Sequence, residues 1–357
     1  MIDFAMKTFF RLIILFFYAA VPLHPGFCQA ENLRKEIEEI IMYEAGIDFS
    51  VVPGVMVGVL DGDSMYISSH GEPMDQTGIF ELGSVTKPFV AWLTDQALDS
   101  LGWTREVSAC RFLPDSLCNT KWESVTVEQL LSHRAGLPSL PDNIGTIEAP
   151  ATDPYAPYSI KRLAADIKLI SPQAGVYSYS NVGYAALYWL FEKVGGIGSF
   201  TAEKLLNPLQ LSSTGWEIPD ARIATGHGLD GRVRPPWHCN ALSPAMGLKS
   251  GMQDLLTFIK YISPGLASRT PILDAELRKE LKTLNKKETF KVIDGWFLIE
   301  SSSTLVYYHT GRTGGHQVSI AFIPGARKGV VVISNGSLGS RELSLLVLDM
   351  VARSKTK

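Results

Sequence analysis

From Glu31 to Ala45 charged residues alternate with Leu33, Ile37, Ile40 and Ile41. Apolar positions three and four apart share one helical face, so the spacing predicts an amphipathic opening helix. The period then changes. The run Val55-Met56-Val57-Gly58-Val59-Leu60, the turn Asp61-Gly62-Asp63 and the run Met65-Tyr66-Ile67-Ser68 predict a β-hairpin. The far end of the chain mirrors this, with strand-like runs at 305–309, 318–323 and 330–334 and a closing helix from about 341 to 351. Between the ends the pattern is mostly helical and rich in loops, with helical segments at 85–98, 127–133, 160–170, 183–194 and 252–262. Thr126 followed three residues later by Gln129 has the form of a capping box for the second of these. The organisation read from the pattern is an α/β layer built from both ends, about 31–83 and 285–357, with a helical region of about 84–284 inserted into it. A site at such a seam is assembled from distant sequence positions.

Composition narrows the partners. A chain of 357 residues allows one large domain or two intimate ones, since cores split beyond ~250–300 residues. Hydrophobic residues make up 46% and charged residues 19%, which is enough to bury a sizeable core and excludes disorder. The net charge of -3 comes without blocks of Lys and Arg, so no nucleic-acid partner is expected. No Cys-x-x-Cys or His-Glu-x-x-His pattern occurs, and neither metal nor cofactor is expected.

The first thirty residues read as a signal peptide: Lys7 and Arg11 precede the apolar run 12–21, and Pro22 and Pro25 break it. That run is short of the ~20 residues a spanning helix needs. Cleavage after Ala30 fits a small-x-small site, and Phe27 before Cys28 argues against a lipoprotein site. The mature chain, 31–357, is then secreted or periplasmic with no stable membrane span; an uncleaved anchor is the alternative. Cleavage leaves Cys110, Cys118 and Cys239. In an oxidising compartment the first two can bridge and leave Cys239 free, while three buried thiols fit the spacing equally well.

Three stretches carry candidate chemistry. In Gly83-Ser84-Val85-Thr86-Lys87-Pro88-Phe89 the serine and lysine share one helical face, and the serine amide lies near a positive helix end. Burial beside Phe89 and Val90 lowers a lysine pKa and makes a neutral base accessible. In Tyr177-Ser178-Tyr179-Ser180-Asn181 a tyrosine next to an ammonium ionises more easily and shuttles a proton, and an asparagine amide holds a carbonyl. In His309-Thr310-Gly311-Arg312-Thr313-Gly314-Gly315-His316 glycines at a strand end admit close approach of a ligand to the backbone. Taken singly, each has a plain alternative: a solvated helix start, a loop packed by its tyrosines, and a glycine-rich strand terminus.

Together, in this order, the three stretches resemble the serine β-lactamase and penicillin-binding protein superfamily, in its class C-like branch with DD-peptidases and related esterases. The strings TVEQLLSHRAGLP from Thr126 and PAMGLKSGMQDLLTFIKY from Pro244 add to the resemblance, which spans most of the mature chain. It implies an antiparallel sheet flanked by helices, the β-lactamase/transpeptidase-like fold. It also implies that Ser84 attacks a carbonyl, that Lys87 and Tyr179 move its proton, and that the amides of Ser84 and Arg312 hold the oxyanion. Asn181, His309, Thr310, Gly311 and Arg312 would bind substrate.

Three positions qualify the resemblance. His309 stands where β-lactamases of this kind usually carry lysine, and histidine is largely neutral near pH 7, so a fixed charge for a substrate carboxylate is weakened and Arg312 is left to restore part of it. Leu140 lies near a position where class C enzymes have a glutamine that contacts the acylamide, which argues against efficient penicillin hydrolysis. The segment Glu203-Lys204-Leu205-Leu206-Asn207 superficially resembles the deacylation motif of class A enzymes, but its place after the tyrosine motif makes Glu203 a surface residue. His133 reads as part of a framework helix.

The functional expectation is an exported serine hydrolase that forms an acyl-enzyme on Ser84 with a small-molecule or peptide substrate, as a D,D-peptidase, an esterase or a β-lactamase-like enzyme does. The alternative is a penicillin-recognising binding or sensor domain that acylates without turnover. A scaffold without chemistry is disfavoured by the joint presence of Ser84, Lys87, Tyr179 and Asn181.

Overall fold

The computed structural model describes residues 25–146, 148–269, 292–301, 304–336 and 340–353. The expected export signal lies outside the described residues up to position 24. Helix α1 (Pro25–Tyr43) begins at Pro25 and not at Glu31. A proline in the first helical turn loses no intrahelical bond, so nothing stops the helix from starting there.

The expected hairpin forms as β1 (Gly54–Asp61) and β2 (Ser64–Gly71). A short strand β3 (Ile79–Glu81) then leads into α2 (Thr86–Leu101). The capping box opens α3 (Val127–Leu131): Gln129 N–H donates to Thr126 Oγ1 at 3.3 Å and Thr126 N–H donates to Gln129 Oε1 at 3.1 Å. After α4 (Ile160–Leu169), the expected helix at 183–194 is two short helices, α5 (Asn181–Ala186) and α6 (Tyr188–Glu192). A single turn α7 (Ser243–Met246), the strand β4 (Lys249–Gly251) paired with β3, and α8 (Met252–Arg269) complete the middle of the chain.

The C-terminal part supplies β5 (Val292–Ile293), β6 (Trp296–Ser301), β7 (Thr304–Arg312), β8 (Gln317–Ile323), β9 (Lys328–Ser334) and α9 (Ser340–Arg353). Among the described residues the main sheet has seven strands in the order β2-β1-β9-β8-β7-β6-β5, antiparallel throughout. The two ends of the chain join where β1 lies beside β9, with Val57 opposite Val332. The hairpin β5–β6 was not among the expected strands. Its turn, Asp294-Gly295, has positive φ at both residues, 53° and 75°. That is the geometry an Asp-Gly pair is suited to in a two-residue hairpin.

Alternation along the strands sends side chains to both faces, and helices cover both. Met56, Leu60, Tyr307, Val318, Ile320, Phe322, Val331 and Ile333 join the core that contains α2 and α8, where Phe89 stacks on Phe258 at 3.7 Å between ring centroids. Val55, Val57, Val59, Tyr308, Ala321, Val330 and Val332 pack against Ile37, Ile40 and Ile41 of α1 and Leu343, Val347 and Val351 of α9. The result is an α/β fold with an antiparallel sheet flanked by helices. Arg105 ties the β5–β6 turn to the helical region: its guanidinium bonds Asp95 of α2 at 2.7 Å, Glu128 of α3 at 3.0 Å, and Asp294.

Cys110 and Cys118 form a disulfide, and Cys239 is free and buried. The bridge closes a loop with a sequence separation of 8 residues. Chain-entropy arguments assign a loop of that size about 2–3 kcal/mol. The double variant Cys110→Ser, Cys118→Ser is therefore expected to unfold at lower denaturant by about that amount, as read from urea unfolding followed by tryptophan fluorescence. An unchanged midpoint would show that the short loop is already ordered without the bridge.

Candidate active site

The chain reaches Ser84 through β3, Leu82 and a tight turn, Gly83–Val85, that runs straight into α2. Gly83 adopts φ +51°, and a Cβ there would lie 2.8 Å from the Arg312 amide nitrogen. Only glycine meets both demands. From the other side, a Cβ on Gly311 would lie 1.9 Å from the Leu82 carbonyl oxygen and 2.8 Å from the Ser84 amide nitrogen. The two glycines thus let the end of β7 press its backbone against the turn that carries the serine. The backbone amides of Ser84 and Arg312 are brought to one place by this contact, at the N-terminal end of a 16-residue helix whose dipole favours negative charge.

Ser84 is partly exposed, whereas Lys87, one turn further on, is 0% exposed. Its ammonium donates to Ser84 Oγ at 3.1 Å, Asn181 Oδ1 at 2.7 Å and the Ala245 carbonyl at 2.9 Å. It also lies 4.9 Å from the Tyr179 ring centroid and 5.6 Å from that of Tyr184. None of these acceptors is charged, and among the described residues no carboxylate pairs with it. Burial therefore brings its pKa down to about 7.

Asn181 opens α5, and the cap explains its pose. Ser180 Oγ accepts from Gly183 N–H at 3.0 Å and donates to the Pro138 carbonyl at 2.6 Å. Asn181 Nδ2 donates to the Ser139 carbonyl at 3.0 Å, which leaves Oδ1 turned to Lys87. The Ser84 hydroxyl is close enough to Tyr179 to favour its ionised form. The expectation that a neighbouring ammonium eases its ionisation is corrected here: burial pushes the hydroxyl up, and the nearby Ser84 hydroxyl offsets only part of that. Tyr179 stays protonated at neutral pH.

His309, expected to bind substrate, is buried. The alternation of β7 turns it inward on the side of Tyr307 and Gly311, where it is 0% exposed and its ring lies 4.8 Å from that of Phe297. Its Nδ1 donates to the Thr310 carbonyl at 2.8 Å, and burial together with Lys87 pushes its pKa down to about 3. It is a neutral part of the floor. Thr310 is partly exposed and Arg312 is exposed. Leu140 packs against the core, and Glu203 is exposed and paired with Lys204 at 2.7 Å.

The sequence reading missed the Ala245 carbonyl, which no side-chain motif reveals, and the support behind Tyr179. His133 has φ +58°, its Nδ1 accepts from the Ser180 N–H at 3.1 Å, and its ring lies 4.3 Å from that of Tyr179. It too is held well below its usual pKa, first by burial and then by Lys87. A partly exposed hydroxyl, a buried amine near its own pKa and two adjacent backbone amides can together attack a carbonyl, accept the proton and hold the oxyanion.

The sequence profile of the family described as Beta-lactamase matches residues 44–348. The chain belongs to the β-lactamase family. A similar protein is the unguisins hydrolase ungD′ of Aspergillus campestris, 26% identical over 213 residues, which are 54% of this chain and 38% of that protein. The chain spans less than half the length of the curated relatives it matches. Among solved structures, a class C β-lactamase from Rhodobacter sphaeroides is 20% identical with a TM-score of 0.69, covering 90% of this chain and all 100% of that one. A β-lactamase/D-alanine carboxypeptidase from Pseudomonas syringae is 18% identical with a TM-score of 0.71, covering 92% and 100%. The likeness to both is one of fold.

The contact at Gly311 can be tested by stability. Gly311→Ala is expected to lose about 1–3 kcal/mol or more, the usual cost of overpacking. In α8, a Cβ on Gly265 would meet nothing within 4 Å, so Gly265→Ala should be neutral or gain up to about 1 kcal/mol. Urea midpoints of the two variants measure the difference, and equal midpoints would mean that β7 does not bear on the Ser84 turn.

Proposed function

We propose that residues 31–357 form one exported serine hydrolase unit that acylates Ser84 with a peptide, amide or ester substrate. The observation that carries this reading is the fully buried Lys87 ammonium, 3.1 Å from Ser84 Oγ and without a carboxylate partner among the described residues. A lysine tuned to about 7 is neutral in a large fraction of molecules at physiological pH and can take the serine proton. Ser84 Oγ then bonds to the carbonyl carbon while the amides of Ser84 and Arg312 hold the oxyanion. Tyr179, protonated and beside Ser84, passes a proton to the departing group. Water or another acceptor takes the acyl group from Ser84 in the second half of the reaction.

Asn181 and Thr310 orient the substrate amide or ester, with Gly311 and Arg312 beside them at the end of β7. Export rests on the pattern of the first thirty residues, and the Cys110–Cys118 bridge suits an oxidising compartment. The candidate substrate is a D-alanyl peptide, a β-lactam or an ester. Similarity to a hydrolase of unguisins and to a β-lactamase/D-alanine carboxypeptidase supports acyl transfer as the common step.

Intact mass after brief exposure to a penicillin and to p-nitrophenyl acetate tests the nucleophile. An adduct or released nitrophenol is expected in the wild type and absent in Ser84→Ala, and the adduct lifetime separates a turning-over enzyme from a binding domain. Identical behaviour of the two proteins with both probes would remove Ser84 from the reaction.

A second test uses pH. Only the neutral amine accepts a proton, so kcat/KM for p-nitrophenyl acetate should fall as pH drops through about 7 and plateau above it. Lys87→Arg, which keeps its charge at all these values, should lose ~10²–10⁴-fold in kcat. A flat profile between pH 5 and 9 would exclude Lys87 as the base.

A further inference from the structure

We propose that Glu81 is a positioning residue that holds the two oxyanion amides in register, by fixing the end of β7 to the strand that delivers Ser84. The inference rests on the acyl-enzyme reading above. Glu81 ends β3, three residues before Ser84, and is 4% exposed. Its carboxylate accepts from three places. Thr313 Oγ1 donates to Oε2 at 3.0 Å, His316 Nδ1 donates to Oε2 at 3.0 Å, and the Trp237 amide donates to Oε1 at 2.7 Å.

Thr313 is the residue after Arg312, and it opens the connection from β7 to β8. That connection is closed on itself: Thr313 N–H donates to the His316 carbonyl at 2.9 Å, and His316 N–H donates to Thr313 Oγ1 at 3.2 Å. One carboxylate therefore grips the connection at both ends, on the far side of Arg312 from the Gly311 contact. Arg312 is thus fixed from two directions. Through Trp237 the same carboxylate also holds a loop whose indole lies 2.9 Å from where a Cβ of Gly314 would be.

An ion pair with lysine does not account for the arrangement, and the pairing open to Glu81 is with His316 Nδ1 at 3.0 Å when that ring is charged. Lys249 lies opposite Glu81 in the β3–β4 register, yet its ammonium reaches toward the Trp216 carbonyl at 3.4 Å. A buried carboxylate is costly unless its oxygens meet donors, and here Thr313, His316 and Trp237 supply them. Two amides aimed at one oxygen need alignment within a fraction of an ångström, and misplacement by about 1 Å costs up to ~10²-fold in rate. A glutamine at position 81 keeps the shape but turns an N–H₂ toward groups that are themselves donors.

The test compares Glu81→Gln, Thr313→Val, Thr313→Ser and the double variant Glu81→Gln, Thr313→Val, with p-nitrophenyl acetate as the probe and Ser84→Ala as the reference. Glu81→Gln and Thr313→Val are expected to lower kcat about 10- to 100-fold with KM little changed. Thr313→Ser, which retains the hydroxyl, should keep kcat near wild type, and the double variant should be no slower than the slower single one. The proposal is overturned by wild-type kcat in Glu81→Gln, by losses confined to KM, by equal losses in Thr313→Ser and Thr313→Val, or by additive losses in the double variant. Should Glu81→Gln fail to fold, the Thr313 pair decides alone. Nitrophenol release that persists in Ser84→Ala would instead refute the acyl-enzyme reading itself.

Discussion

The burial of one ammonium organises the site. Lys87 leaves water entirely and is met by three oxygens from three separate elements: its own helix turn, the start of α5 and the end of α7. The bonds hold those elements together, but they are all to neutral groups. A carboxylate among them would restore the lysine to full charge and remove its ability to accept a proton. The titratable neighbours follow the same rule. His133 and His309 are held neutral, and burial raises the Cys239 thiol to about 12. Lys87 is thus the group around which charge at the centre can change near neutral pH.

The fold exists in a form that makes this burial possible. A sheet assembled from both chain ends places β7 in its interior, between β6 and β8, and lets its last residues reach the turn before α2. Sequence positions 84 and 311 meet only because β1 and β9 pair and bring the ends of the chain together. Covering both sheet faces with helices leaves little freedom for β7 to retreat, so the glycines at 83 and 311 are required by packing before they are required by chemistry.

Much of this was legible in the sequence because it is local or periodic. The first hairpin, the three long C-terminal strands and the capping box at Thr126 each follow from spacing within a few residues. The grouping of Ser84, Lys87, Tyr179 and Asn181 came from a resemblance, and the geometry now supplies its reason. What escaped was non-local. Glu81 reads as a lone charge beside a motif, since its partners Thr313 and His316 are 232 and 235 residues away. The inward turn of His309 depends on which face of β7 is covered, and no window around position 309 contains that fact. The β5–β6 hairpin carries a usable signal in Asp294-Gly295, but β5 has only two residues, too few to show an alternating pattern.

The boundary of water at the site lies between Ser84 Oγ and Lys87 Nζ, 3.1 Å apart, since the serine is partly exposed and the lysine is not exposed at all. A carbonyl compound can therefore reach the nucleophile while water cannot resolvate the base. Tyr179 stands on that boundary, partly exposed, beside Ser84 and held in its protonated form. On the proposed reading, a proton leaving Ser84 moves inward to Lys87 and one delivered from Tyr179 moves outward to the departing group, so the two transfers lie on opposite sides of this boundary. Full burial of Lys87 and partial exposure of Tyr179 thus set the two groups apart by position as well as by pKa.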